Sequence, residues 1–68
     1  MENNKIVVLD QKNEILSIEN YPTADAAHEA YTEAIRLLKK HLPAGRKLTV
    51  CRFRWGSIMA MEDVVGTN

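Results

Sequence analysis

The chain has 68 residues, of which 46% are hydrophobic and 26% charged, and its formal net charge is +0. A chain of this length predicts one domain, residues 1–68, which buries only about 60% of its unfolded surface and is marginally stable alone. Its single cysteine, Cys51, excludes an internal disulfide framework, and its short apolar runs exclude a membrane-spanning helix. With no signal-peptide layout at the start, we expect a cytoplasmic protein. Self-association as a homodimer is the expected remedy for a small core.

The zero net charge hides a separation of charge along the chain. Residues 1–35 carry two Lys or Arg against seven Asp or Glu, whereas residues 36–68 carry seven against two. The segment 46–55 reads RKLTVCRFRW and combines the basic residues with Phe53 and Trp55. Such an asymmetry indicates a contact surface and says little about the fold.

The first predicted elements form a β-hairpin. Residues 5–10 are a β-branched run typical of a strand, and residues 14–19 form a second one. Strict alternation in the second strand places Leu16 and Ile18 on the same face. The short connection between the strands predicts a tight turn in which Asn13 adopts a positive φ.

Residues 24–42 are predicted to form the single helix. Thr23 is suited to the N-cap, and Asp25 lies in the first turn, where the helix dipole favours an anion. Pro43 and Gly45 end the helix. Its apolar residues keep helical spacing and predict one buried face; they are Ala27, Ala30, Tyr31, Ala34, Ile35, Leu38 and Leu42.

Residues 47–55 and 58–65 are predicted to form two further strands, with Gly56 and Ser57 in the turn between them and residues 66–68 frayed. The predicted fold is therefore α+β with the order ββαββ, an antiparallel four-stranded sheet with one helix packed on one face. The uncovered face must then be polar or must be covered by a partner.

Alternation in the third strand separates its side chains into two groups. We expect Cys51 and Phe53 to face the helix as core residues, and Arg52 and Arg54 to project from the uncovered face. There the arginines could bind a partner or could balance acids on neighbouring strands.

No constellation of residues predicts catalysis or a metal. Cys51 lies in mid-strand, and Arg52, on the opposite face, would not activate it. His28 and His41 are thirteen residues apart on the helix, which separates them by about 220° and prevents them from binding one ion. The three glycines are isolated, so no phosphate-binding loop is present. We expect no enzyme activity, no metal site and no cofactor.

The preferred prediction is a non-enzymatic protein-binding module, inhibitory or regulatory, whose partner is an acidic protein surface or a nucleoprotein complex. The predicted partner-binding residues are Arg46, Lys47, Arg52, Arg54 and Trp55, with Glu29 and Glu33 as a secondary acidic surface that could equally be a solvated helix face. In size and element order the chain is similar to short phage and mobile-element proteins that block host complexes, such as anti-CRISPR-type inhibitors. This similarity involves no shared motif.

The alternative prediction is a nucleic-acid-binding regulator that uses strand 46–55, because arginines beside aromatics can contact phosphates and stack on bases. The stretch TADAAHEAYTEAI is similar to the helix of antitoxins that combine a small hairpin with a helix. A sequence pI of about 6.7 and the lack of a recognition motif favour the protein-binding prediction.

Overall fold

The structure is a computed structural model and describes residues 3–67. Its elements are β1 (Asn4–Leu9), β2 (Ile15–Tyr21), α1 (Ala24–His41), β3 (Lys47–Arg54) and β4 (Ser57–Val65). The four strands form one antiparallel sheet in the order β2-β1-β3-β4, and α1 packs on one of its faces. The predicted fold class is confirmed.

Helix α1 begins and ends where its sequence requires. Thr23 is the N-cap, and its Oγ1 accepts a hydrogen bond of 3.0 Å from the backbone N–H of Ala26. The helix ends one residue earlier than predicted, because Leu42 takes an extended conformation with φ −67° and ψ 126°. The ring of Pro43 disfavours a helical conformation at the residue before it.

The core lies between α1 and the sheet. Ile35 and Leu42 on the helix side pack with four strand residues, Ile6, Leu48, Val50 and Val64. Ala30, Tyr31 and Leu38 pack against this cluster from the helix, as the apolar spacing predicts. The core is thus formed by alternate residues of β1, β3 and β4, and α1 covers only this face.

The face predicted for the side chains of β3 is wrong. Because Val50 faces the helix and β3 pairs with β1 without a register shift, Arg52 and Arg54 project on the helix side. Cys51 and Phe53 lie on the opposite side, which we call the open face. Alternation divides the residues of a strand into two groups, but it does not say which group faces the helix. In β3 the helix covers the group that contains the aliphatic residues.

Register shifts occur in both edge strands. In β2, Ile15 pairs with Leu9 while Ile18 pairs with Val7, so Leu16 is an extra residue. Ile15 and Ile18 therefore share the open face, contrary to the strict alternation predicted for this strand. A similar shift in β4 leaves Met59 as the extra residue.

The turn and the tail also differ from the predictions. Arg54 pairs with Ser57, so the two turn residues are Trp55 and Gly56. Gly66, predicted to be frayed, is buried, and its N–H donates a 2.8 Å hydrogen bond to the carbonyl of Arg46. A Cβ at this glycine would lie 1.8 Å from the carbonyl oxygen of Pro43. Asn68 lies outside the described residues.

Candidate functional site

The tip of the β3–β4 hairpin carries an exposed tryptophan in an unfavourable backbone conformation. Trp55 is 61% exposed and has φ 53°, and Gly56 follows with φ 79°. Two successive positive φ angles define the hairpin turn in which Asn-Gly is the preferred pair. A side chain with a Cβ costs roughly 1–2 kcal/mol in this region, so tryptophan is a poor choice for the turn itself.

Arg52 and Arg54 lie beside this tip on the helix side. Arg52 lies between Ile6 and Ala60 of the neighbouring strands, and its Nε is buried with no hydrogen-bond partner among residues 3–67. Burial raises the pKa of Tyr31 and the nearby carboxylate of Glu62 raises it further, while the positive charge of Arg52 opposes them. Arg52 is half-buried and lies near Tyr31 of the helix.

Asn4 lies at this end of the sheet, on its helix side. It is paired with Arg54 on one side and Tyr21 on the other, and it is only 1% exposed. Neither its side-chain oxygen nor its nitrogen has a hydrogen-bond partner within the described part of the chain. The sequence reasoning missed this residue, although its place two residues before Ile6 is the signal that it faces the core.

Arg46 and Lys47 lie at the opposite end of β3. Lys47 and Arg54 are seven positions apart along the strand, which corresponds to about 23 Å. The backbone N–H of Arg46 donates to the carbonyl of Pro43 at 3.1 Å, and that of Lys47 to Oε1 of Gln11 at 3.2 Å. The predicted basic residues therefore form two separate groups, and only Arg52, Arg54 and Trp55 lie together.

Glu29 and Glu33 are exposed on the helix, away from the sheet. Glu33 accepts a 3.0 Å hydrogen bond from Nε of Arg36, one helical turn later, and this bond lowers the pKa of Glu33. Part of the predicted acidic surface is thus neutralised by a neighbour on the same helix.

Cys51 is 3% exposed and lies on the open face of β3, away from the helix. Burial raises the pKa of its thiol, and the negative charge of Asp63 raises it further. A thiol in such surroundings is poorly ionised near neutral pH and is a weak nucleophile.

The open face is the surface that sequence reasoning described least well. Ile18, Val7, Cys51 and Met61 form one row across all four strands, because each pairs directly with the next. Ile18 is 50% exposed and Met61 61% exposed. The sequence does indicate an apolar open face, because the strands contain more apolar residues than one helix can cover. The bulge in β2 hid the fact that Ile15 belongs to this face.

Among residues 3–67, no group of three or more His, Cys, Asp or Glu side chains could hold a metal ion. No helix in the same range combines the length and the apolar character that crossing a membrane requires. Comparisons with models of protein families, with curated proteins and with solved structures find no match to this chain.

Proposed function

We propose that this protein is a non-enzymatic protein-binding module that acts as an inhibitor or regulator of its partner. The observation that carries the proposal is the exposure of Trp55 at a hairpin tip where its own backbone conformation is unfavourable. Tryptophan and arginine are the residues most enriched among those that dominate binding energy at protein interfaces. A large apolar ring at such a position has little to contribute to folding, so its role is expected to be contact.

The neighbouring charges indicate the chemistry of the partner. Arg52 and Arg54 are two residues apart on the helix side of β3, where both are half-buried and lie within a few residues of the hairpin tip. Arginine suits carboxylates because its planar fork donates two parallel hydrogen bonds. We therefore propose an acidic protein surface with an apolar recess for Trp55. Arg46 and Lys47 are too far away to join the same small contact.

The proposal is tested by exchanging the tryptophan for the residue that the turn prefers. Trp55→Asn removes the ring and leaves a residue that tolerates positive φ, so the fold should be kept or slightly stabilised. Leu37→Asn is the matched control, because Leu37 is 42% exposed on the helix. The immobilised wild-type chain and both variants are incubated with extract of the source cell, and the retained proteins are quantified by mass spectrometry.

We expect the wild-type chain and Leu37→Asn to retain the same protein, and Trp55→Asn to lose it by at least about tenfold, the range of a dominant interface residue. Retention of the same protein by Trp55→Asn would contradict the proposal. Retention that disappears after nuclease treatment and falls steeply with salt would instead support the nucleic-acid alternative.

The contribution of the arginines is tested with Arg52→Gln and Arg54→Gln. Glutamine keeps a polar chain of moderate length, whereas glutamate would place a negative charge in a half-buried position and confuse folding with binding. We expect each variant to weaken retention more at low than at high ionic strength, because an interaction between charges is screened by salt.

A further inference from the structure

The open face has the composition of an interface core. Its central row consists of Ile18, Val7, Cys51 and Met61, which lie at the same height across the four strands. No polar side chain interrupts this row. Ile18 and Met61 at the two ends of the row are at least half exposed, Val7 is partly exposed and Cys51 is buried. Exposed apolar residues grouped in this way on a small domain indicate a contact surface.

Polar residues lie toward the ends of the same face. The row nearer the hairpin tip contains Asn20, Lys5, Phe53 and Ile58, and the row nearer the β1–β2 turn contains Ile15, Leu9, Thr49 and Asp63. Thr49 Oγ1 donates a 2.6 Å hydrogen bond to Oδ1 of Asp63, which partly satisfies this corner. An apolar centre with polar residues at its margin is the usual anatomy of a protein interface.

The charges of the face are few and of both signs. Across these three rows they are Lys5 and Asp63, near opposite ends of the face, and Lys47 lies in the next row beside Val65. A partner of one strong charge would therefore meet both signs on this face. In a dimer with its axis along the strands, the Lys5 side chains of both copies lie in the same row, so the apolar residues and not the charges supply the attraction.

The size of the face reaches the lower limit for a specific dimer. Four strands spaced about 4.8 Å apart and about 20–30 Å long present roughly 400–500 Å² in projection. Two such faces in contact bury about 1,000 Å², the lower limit for a specific interface. Sheet-on-sheet packing would also give this short chain a second hydrophobic core, with the two helices on the outside.

We infer that the open face binds the open face of a second copy, with a two-fold axis parallel to the strands. This axis places β2 of one copy over β4 of the other, so Ile18 faces Met61 of the second copy. The exposed Met61 of the second copy then lies at the margin of a shallow depression of about 260 Å³ lined by Asn3, Lys5, Val7, Ile18, Phe53 and Gly56. The contact is isologous, so the same fit occurs twice.

The experiment is sedimentation equilibrium of the full chain, with two charge variants. At about 100 μM we expect the wild-type chain to sediment at twice its mass of 7.7 kDa. Ile18→Glu and Met61→Lys should each sediment at 7.7 kDa. An equal mixture of the two variants should recover the doubled mass, because the new glutamate of one copy then faces the new lysine of the other. Leu37→Lys, on the helix, is the control and should remain dimeric.

Several results would overturn the inference. A wild-type chain that sediments as a monomer at about 100 μM would remove the dimer, since a dimer too weak to form there contributes little to stability. Single variants that remain dimeric would assign the contact to another surface, such as the exposed edge of β4. Monomeric variants that fail to associate when mixed would overturn the axis that places Ile18 over Met61.

Circular dichroism verifies that both variants are folded. Trp55→Asn should stay dimeric, so this test and the test of partner binding fail independently.

Discussion

The two faces of the sheet are built from the same four strands and are used in different ways. On the covered face, Ile6 and Val50 are 4% and 0% exposed and pack against the helix. On the open face, Ile18 and Met61 are at least half exposed although they are as apolar as the core residues. For these residues, the position relative to the helix and to the edge of the sheet decides burial, and hydrophobic character does not.

The covered face in turn has a feature that the open face lacks. It contains a buried polar side chain, Asn4, and two half-buried arginines at the end beneath the start of the helix. The open face keeps its charged residues at its margins. The buried polar groups of the covered face thus lower its stability near the hairpin tip, where the proposed contact residues lie. The open face keeps apolar side chains exposed. Four sets of variants test the contrast and the contacts around it.

The largest effect is expected from truncating the covered face. Ile6→Ala should lower the free energy of unfolding by about 2–5 kcal/mol at every protein concentration, because it leaves a cavity under the helix. Ile18→Ala should cost less than about 1.5 kcal/mol in dilute solution, since this side chain is already half exposed. Urea unfolding of both variants measures the difference. Equal losses in dilute solution would show that the two faces contribute alike.

A gain in stability is expected from Asn4→Val. The buried amide makes no hydrogen bond within residues 3–67, and valine removes the unpaired groups while favouring a strand. The free energy of unfolding should rise by about 1–3 kcal/mol. Thermal unfolding compared with the wild type provides the measurement. A lower melting temperature would indicate that the amide is hydrogen-bonded in solution.

A smaller loss is expected at the polar corner of the open face. Asp63→Ala removes the acceptor of the Thr49 hydroxyl, which lies in a part-buried position. The cost should be about 1 kcal/mol, the usual value of one such hydrogen bond. Asp63→Asn keeps an acceptor at the same place and is the matched control; a similar loss in both variants would exclude the hydrogen bond as the cause.

The smallest effect is expected on the outer side of the helix. The hydrogen bond from Arg36 lowers the pKa of Glu33, so its stabilising contribution is present at neutral pH and is lost as the pH falls through that pKa. Because the pair is exposed and screened, Glu33→Gln should produce only a slight decrease in melting temperature at neutral pH. Wild type and variant should coincide in acid; a difference that grows in acid would reverse the assigned sign.

The elements of this protein follow from local sequence features. Thr23 satisfies the first turn of the helix, Pro43 ends it, and Asn13 adopts the positive φ, 64°, that the first turn needs. Each of these rests on interactions within a few residues, which is why the order ββαββ and the helix boundaries could be predicted. Of the candidate site, Trp55 and its adjacent arginines could be named, but their grouping could not.

Which side of each strand faces the helix depends on the packing of the whole fold. Alternation assigns Arg52 and Cys51 to opposite faces, but it is silent on which face is covered, and the bulge at Leu16 moves Ile15 onto the face of Ile18. It was likewise the pairing of strands distant in sequence that aligned Ile18 with Met61 in one row. The helix and the strands could be predicted because caps and turns act locally. Surfaces required the fold, because they are made by residues that meet only through packing.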